Sequence, residues 1–403
     1  MSEPPEGPQS MRELVLSLGV SERDVDRATA DGTLGLLAVS SFIFPGEPVF
    51  TQPEAMELSG LGEQAKRFWR ALGFPDPLAD EKAFTQADVD LLIIVKRLMA
   101  IGLVEEDVAL QMARVIGVSM ARIAAAQIDA IEARVDDVGA DSTWVPRLPA
   151  GSDPAVLRAG MLQTTMPQIL EYAWRRHMQV AAYRRMIRDT AVADGESAGL
   201  AVGFADLVGF TALSQQLDDH ALARVVDRFE QTAYDVVNEL GGRVVKMIGD
   251  EVMYAVAEPS RAVMIGLALA EAYHSDDVLS DVRVGIASGA VLEREGDLFG
   301  PTVNLASRIV GIAYEGSVVV SAAVHAALAG EPTLRWKQLR TRHLKHIGRV
   351  QLWTVRAVDD GFDGERAEER AWRRRGLIRD RVADLVERIV DPVTGEEEAK
   401  EEE

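Results

Sequence analysis

Two aspartates occupy positions where the sequence predicts that strands end or turn. Asp206 follows the apolar run of a predicted strand over 200–205, so its carboxylate would project beyond the sheet. Asp250 follows Gly249 in the turn of a predicted hairpin over 243–256. Carboxylate oxygens suit hard divalent cations, so this pair is a candidate site for two Mg²⁺ or Mn²⁺ ions.

Lys246 and Asp297 form a candidate donor–acceptor pair for a purine base. The adenine edge presents N1 as an acceptor and the N6 amino group as a donor, which a lysine and a carboxylate can meet. Guanine reverses that edge, so the same pair would leave polar groups unpaired. Each residue alone is most simply a surface charge, and it is their combination that favours adenine.

Two further stretches supply groups for phosphate. Asn304 and Arg308 are four residues apart in a predicted helix over 302–312, so both side chains lie on one helix face. An amide and a guanidinium suit a ribose and an α-phosphate, and Arg308 could stabilise the charge that develops as pyrophosphate departs. Phe210 and Thr211 lie at a predicted strand-to-helix turn, where backbone N–H groups can cradle phosphate.

The three segments that carry these residues resemble, in order and spacing, the signature segments of the class III nucleotidyl cyclases. They read FADLVGFT at 204–211, VVKMIGDE at 244–251 and DLFGPTVNLASR at 297–308. The resemblance covers residues 197–358 and is to the adenylate-specific form of the family. It implies conversion of ATP to 3′,5′-cyclic AMP and pyrophosphate, with two divalent ions per site.

The resemblance also implies a role for six of the candidate residues. Asp206 and Asp250 would hold the metals, Lys246 and Asp297 would bind adenine, and Asn304 and Arg308 would stabilise the transition state. Leu207 is a further candidate for the metal site, and Phe210 and Thr211 are candidates for substrate binding. Family members build each site from two chains, so the implied form is a head-to-tail homodimer with shared sites. Guanylate-specific relatives carry a glutamate where Lys246 stands, which leaves a guanylate cyclase as the nearer alternative.

The pattern of elements divides the chain. Alternating strands and helices over 197–358 predict an α+β fold with helices on one face of the sheet, compatible with the ferredoxin-like palm of cyclases. Helical segments over 1–140 predict an all-α regulatory domain, with separate helices over 105–116 and 119–134 on either side of Gly117. The remaining predicted parts are a linker at 141–154, dimerising and transmitting helices at 155–193, and a charged tail at 359–403.

The N-terminal half resembles the regulatory regions of soluble adenylate cyclases of the actinobacterial type. Within it, residues 51–100 are similar to a winged helix of the MerR type, whose recognition helix would offer Lys66, Arg67 and Arg70. That is little positive charge for DNA binding. The alternative from another functional class is a DNA-binding regulator that senses nucleotides through an inactive cyclase-like domain, and the intact set of site residues argues against it.

The composition argues against several classes of protein, among them nucleic-acid-binding, disulfide-bonded and membrane-spanning proteins. A formal net charge of −21 over 403 residues argues against nucleic acid or an anionic membrane as the main partner. The chain has no cysteine, which excludes disulfides and thiolate metal sites. The longest uncharged stretch, 32–46, is too short to span a bilayer, so we expect a cytoplasmic protein without a transmembrane segment.

Overall fold

A computed structural model describes the chain as two compact units, Met1–Tyr183 and Arg184–Glu403. The residues described are 10–44, 46–132, 154–193, 199–276 and 278–358. The charged tail predicted at 359–403 lies outside them, as does the predicted linker at 141–154 except for Pro154, which begins a helix.

The described part of the first unit is helical, as predicted. Its helices are α1 (Met11–Ser17), α2 (Glu22–Ala30), α3 (Leu34–Ile43), α4 (Gln52–Ser59), α5 (Glu63–Ala71), α6 (Gln86–Ala100) and α7 (Glu106–Glu132), followed by α8 (Pro154–Ala193), which runs into the second unit. Helix α6 begins at the predicted cap, because the Thr85 hydroxyl accepts from the Asp88 N–H and the Asp88 carboxylate accepts from the Thr85 N–H at 2.7 Å. An isolated bridge between Phe50 and Phe84 closes the loop that precedes this helix.

Helix α7 corrects the predicted break at Gly117. The two helices expected at 105–116 and 119–134 are one continuous helix that passes through the glycine. A Cβ at Gly117 would lie 2.2 Å from the carbonyl oxygen of Leu72, at the end of α5. The glycine therefore permits close helix packing rather than ending the helix. By length and composition alone, α7 is also the one helix among the described residues that could cross a membrane, over Glu106–Ile128.

The described part of the second unit alternates strands and helices. Its elements are β1 (Leu200–Leu207), α9 (Phe210–Ser214), α10 (Asp219–Glu239), β2 (Arg243–Ile248), β3 (Glu251–Val256), α11 (Pro259–His274), β4 (Val282–Gly289), β5 (Leu292–Arg294), β6 (Asp297–Phe299), α12 (Pro301–Val310), β7 (Val318–Ser321), α13 (Ala322–Leu328), β8 (Leu334–Gln338), β9 (Arg342–Leu344), β10 (Gly348–Val350) and β11 (Leu352–Ala357). Seven strands form one sheet in the order β2-β3-β1-β4-β7-β11-β8. Only the β4–β7 pairing within that sheet is parallel. This confirms the α+β class.

Helices cover both faces of the sheet, which corrects the expectation of helices on one face. Alternate residues along β1 enter two separate cores, since a strand directs successive side chains to opposite faces. Ala205 and Leu207 pack with α10 and α11, whereas Val202 and Phe204 pack with α12. The sequence did not reveal this division, because α12 carries the same kind of apolar stripe as the helices of the opposite face.

Helix α12 approaches β4 unusually closely at Gly285. A Cβ on this residue would lie 2.3 Å from the backbone nitrogen of Val310 and 2.8 Å from the carbonyl oxygen of Ala306. Backbone atoms cannot swing aside as a flexible side chain can, so any larger residue must push the helix away from the sheet.

We therefore expect Gly285→Ala to lower the free energy of unfolding by about 1–3 kcal/mol, the usual range for overpacking. Urea denaturation of the full chain would measure the change. The matched control is Gly330→Ala, because a Cβ there meets nothing within 4 Å and the backbone conformation is an ordinary one. Equal stability of the two variants would contradict the close approach of α12.

Candidate active site

A row of charged side chains crosses three adjacent strands. In the sheet register, Asp206 of β1 lies opposite Glu251 of β3 on one side and Arg283 of β4 on the other. Directly opposed residues share a face of the sheet. The Arg283 guanidinium donates to the Asp206 carboxylate, and both side chains are about one-third exposed or less. The row is therefore an acidic pair bordered by one cation.

Asp250 joins this row through the backbone. It lies in the turn between β2 and β3, and its carbonyl oxygen accepts from the Leu207 N–H at 3.0 Å. Burial raises the pKa of the Asp250 carboxyl, and the negative charge of Asp206 raises it further. The structure thus brings together the two aspartates predicted to hold metal. The Leu207 side chain is buried in the core, so only its backbone is available to the site.

The charge balance of this row fits a divalent cation. Burial raises the pKa of Glu251 to about 7, and the nearby Asp206 and Asp250 carboxylates add to the shift. Excess negative charge of this kind is what a bound cation relieves, and the donors are all hard oxygens. No group of three or more His, Cys, Asp or Glu side chains in the described ranges forms a closed metal cage.

Lys246 and Asp297 are in direct contact. The Lys246 ammonium donates to Asp297 Oδ2 at 2.6 Å, and the other carboxylate oxygen accepts from the Leu298 N–H at 2.7 Å. The side chains are 38% and 28% exposed, so both can still be reached by a ligand. A donor and an acceptor held side by side match the adjacent N1 and N6 positions of adenine.

A β-bulge directs Lys246 to the site face of the sheet. Val244 lies opposite Tyr254 and Lys246 lies opposite Met253, so Val245 is the extra residue. Under strict alternation Lys246 would share the face of Val244, which packs with α10 and α11. The bulge instead places Lys246 on the face that carries Asp206, and local re-aiming of a side chain is a common role of bulges.

Asn304 and Arg308 lie on one exposed face of α12. The helix begins with Pro301 at its first position, after Gly300 at a φ of 125°. The opposite face is anchored by buried Ala306, Ile309 and Val310. Both polar side chains are exposed, and the described residues include no hydrogen-bond or ion-pair partner for either. The structure therefore positions the pair on a rigid helix without joining it to the aspartates or to Lys246.

Phe210 and Thr211 begin the short helix α9, directly after the charged row. Gly209 caps this helix with a φ of 79°, in the left-handed region that glycine tolerates. The Phe210 ring packs partly against the core under α10, and Thr211 is exposed. A role for these residues in substrate binding stays a prediction.

Sequence reasoning missed Arg283 and Glu251. Arg283 carried a usable signal, because it is the one charged residue of the strand Val282–Gly289 and alternates with the apolar residues Val282 and Val284. Glu251 directly follows Asp250 in the sequence. Its position beside Asp206 depends on the register between β1 and β3, which the sequence does not reveal. Together the groups form a row of charged side chains across three strands, a lysine–aspartate pair and an exposed amide–guanidinium pair.

Comparison with known proteins matches most of the second unit to a known family and extends the likeness beyond it. The family model for the adenylate and guanylate cyclase catalytic domain matches residues 193–357. The adenylate cyclase of Streptomyces coelicolor is 38% identical over 295 residues, covering 71% of this chain and 74% of that protein. The adenylate cyclase of Streptomyces griseus is 35% identical over 295 residues, covering 71% of this chain and 70% of that protein. Both alignments are longer than the catalytic domain and so extend beyond it.

Among solved structures, one that is similar is the catalytic core of a rhodopsin-guanylyl cyclase with converted specificity, in complex with ATPαS. It is 23% identical, with a TM-score of 0.37, and the match covers 40% of this chain and 96% of that one.

Proposed function

This chain belongs to the adenylate cyclase family, whose members convert ATP to 3′,5′-cyclic AMP and pyrophosphate, and we propose how its residues divide that reaction. The observation that carries the proposal is the contact between Lys246 and Asp297, because it presents a donor beside an acceptor as adenine requires. Guanine would meet both groups with the wrong polarity, which argues against the guanylate cyclase alternative.

Asp206 and Asp250 are proposed to hold two divalent cations, Mg²⁺ or Mn²⁺, with the Leu207 backbone as a further ligand. Their support is the gathering of three carboxylates in a partly buried place, where burial first and the neighbouring carboxylates second raise the pKa of Asp250 and of Glu251. Bound cations of this kind would activate the ribose 3′-hydroxyl and neutralise the triphosphate. The guanidinium of Arg283 donates to the Asp206 carboxylate, and it lies where it could also bind the negatively charged phosphates.

Asn304 and Arg308 are proposed to act on the reacting phosphate. Their side chains have no competing partner among the described residues and they share one face of α12, so an amide and a guanidinium can engage the ribose and α-phosphate together. Negative charge grows on the departing pyrophosphate, and a fixed guanidinium stabilises that charge most in the transition state. Phe210 and Thr211 would support the phosphates from the loop after β1.

The first test measures cyclic AMP formed from Mn·ATP by the full chain, with Mn·GTP as the comparison substrate. Asp206→Ala and Asp250→Ala should abolish turnover, because each removes a metal ligand. Arg308→Ala should lower kcat more than it raises KM, by roughly 10²-fold, if it acts mainly in the transition state. Arg261→Ala, which removes an exposed pair with Glu258, is the control and should keep the wild-type rate. Full activity of either aspartate variant would overturn the metal assignment.

We further propose a head-to-tail homodimer in which each site takes its aspartates from one chain and Lys246, Asp297, Asn304 and Arg308 from the other. The exposed face of α12 leaves Arg308 free to meet a partner. Helix α8 is a suitable dimer contact, because it exposes large aromatic side chains, including 71% of Tyr172 and 62% of Trp174.

Mixing two inactive variants tests the shared site. A dimer of one Asp206→Ala chain and one Arg308→Ala chain would hold one doubly damaged site and one intact site. After subunit exchange, the mixture should recover up to about a quarter of wild-type activity, since half of the dimers are mixed. Neither variant alone should recover any. A mixture that stays at the level of its components would show that each site is built within one chain.

The N-terminal helical half is proposed to regulate the catalytic domain. The alignments with the Streptomyces adenylate cyclases extend beyond residues 193–357, which indicates a shared region outside the catalytic domain. A fragment that begins near Ala191 separates the two parts. We expect its specific activity with Mn·ATP to differ from that of the full chain: a higher value makes the N-terminal half an inhibitor, and a lower value makes it an activator or dimerising support. Equal activity would contradict regulation.

The DNA-binding alternative loses support at helix α5. Lys66 and Arg70 both pair with Asp76, and Arg67 pairs with Glu106. The three cations that would contact DNA thus already pair with carboxylates of the chain, two of them with the same Asp76, and releasing them would cost these contacts.

A cytoplasmic location is proposed for the protein. Helix α7 has the length of a membrane span, but Arg114 and Arg122 lie within that span. A charged residue near the middle of a spanning helix costs about 2.5–3.5 kcal/mol. Ala109, Leu110 and Ala113 of the same helix are buried within the first unit, where α7 packs on α5 and α6.

A further inference from the structure

We propose that Arg243 is a positioning residue for purine selectivity, because it clamps the hairpin that carries Asp297 onto the strand that carries Lys246. This inference rests on the proposed function, since it assigns Lys246 and Asp297 to adenine. It goes beyond that function by naming a residue that touches neither substrate nor metal.

The hairpin of β5 and β6 has little stability of its own. It is a separate two-stranded sheet, and all three residues of β5 are exposed. Two-stranded hairpins are marginal in water without further packing. Its two turn residues, Glu295 and Gly296, both have positive φ values, 56° and 80°, a conformation that glutamate adopts reluctantly. External contacts must therefore hold the hairpin in place.

The base of the hairpin is fixed by the core and by α12. Leu298 is buried beneath it, and the Thr302 hydroxyl donates to the Ala290 carbonyl at 2.8 Å. Neither of these contacts involves the turn residues Glu295 and Gly296. Asp297 directly follows the turn, so a small rotation of that end would move its carboxylate relative to Lys246.

Arg243 fixes the turn end. One guanidinium nitrogen donates to the Gly296 carbonyl at 3.1 Å, and another donates to the Glu293 carboxylate at 3.0 Å. The two contacts join β5 and the turn residue that precedes Asp297, and the planar, forked guanidinium can make both at once. The side chains of Arg243 and Glu293 are 22% and 32% exposed, so they are partly shielded from water.

The bulge in β2 makes this clamp possible. Arg243 lies opposite Ala255 and Lys246 lies opposite Met253, and both partners belong to the core on the α12 side. Arg243 and Lys246 are three residues apart and would point to opposite faces in a regular strand. With Val245 as the extra residue, both leave β2 on the same face and meet the same hairpin. One strand therefore carries both the purine donor and the group that positions the acceptor.

Loss of the clamp should weaken selectivity rather than chemistry. We expect Arg243→Ala to raise KM for ATP with a smaller change in kcat, and to lower the ratio of kcat/KM for ATP to that for GTP by about 10- to 100-fold, the cost of a small misplacement. Arg243→Lys should fall between wild type and alanine, because an ammonium cannot reproduce the forked contact. Glu293→Ala should show the same selectivity defect, and the double variant should be no worse than Arg243→Ala.

The matched control is Arg228→Ala. Arg228 also forms an ion pair between distant parts of the same unit, with Asp276 at 2.9 Å, but it does not contact the hairpin. A merely structural role for Arg243 would lower stability in both variants and leave the ratio of ATP to GTP unchanged in both. Thermal unfolding of each full chain separates stability from selectivity.

The outcomes distinguish the inference from the proposed function. If the wild-type protein makes no cyclic AMP, both the proposed function and this inference are wrong. An active wild type whose ATP-to-GTP ratio survives Arg243→Ala would overturn the clamp alone. A lowered ratio in the Arg243 and Glu293 variants, beside an unchanged ratio in Arg228→Ala, would support the clamp.

Discussion

The site depends on the alternation of side chains across one pleated sheet. On the α12 side, Phe204 and Met253 form an apolar row, and the next row along the same strands holds Asp206, Glu251 and Arg283. Along β1, a step of two residues therefore leads from Phe204 in the packed core to Asp206 among the charged groups. The core below fixes the backbone, so the carboxylates are held close without a long loop to order, which limits the entropy cost of assembling the site.

That constraint also explains why β2 needs an irregularity. Regular pairing would turn Lys246 to the other face of the sheet, the half-buried side of Val244, where its ammonium could not meet Asp297. The bulge leaves Val245 without a paired residue on β3, and as a result the Lys246 side chain points towards Asp297. The same shift brings Arg243 to the hairpin, so a single extra residue sets the direction of Lys246 and of the arginine that contacts the hairpin of Asp297.

Local chemistry in the sequence was enough to predict much of the site. The candidate residues, the order of elements in the second unit and the cap at Thr85 follow from residue types and spacing. Features set by a distant neighbour were not predictable. Gly117 looks like a helix end until Leu72 is placed against it, and Arg283 looks misplaced in its strand until the register sets it beside Asp206. The roles assigned to the individual site residues remain predictions.

Electrostatics links the acidic character of the chain to its need for cations. Charges more than about 8 Å away are largely screened at physiological ionic strength, so the net charge of −21 matters less than the carboxylates beside the site. Three of these, Asp206, Asp250 and Glu251, would repel a triphosphate, and Arg283 alone offsets only part of that charge. An anionic substrate that approaches this row therefore needs a counter-charge. Divalent cations held by Asp206 and Asp250, as proposed above, would supply it.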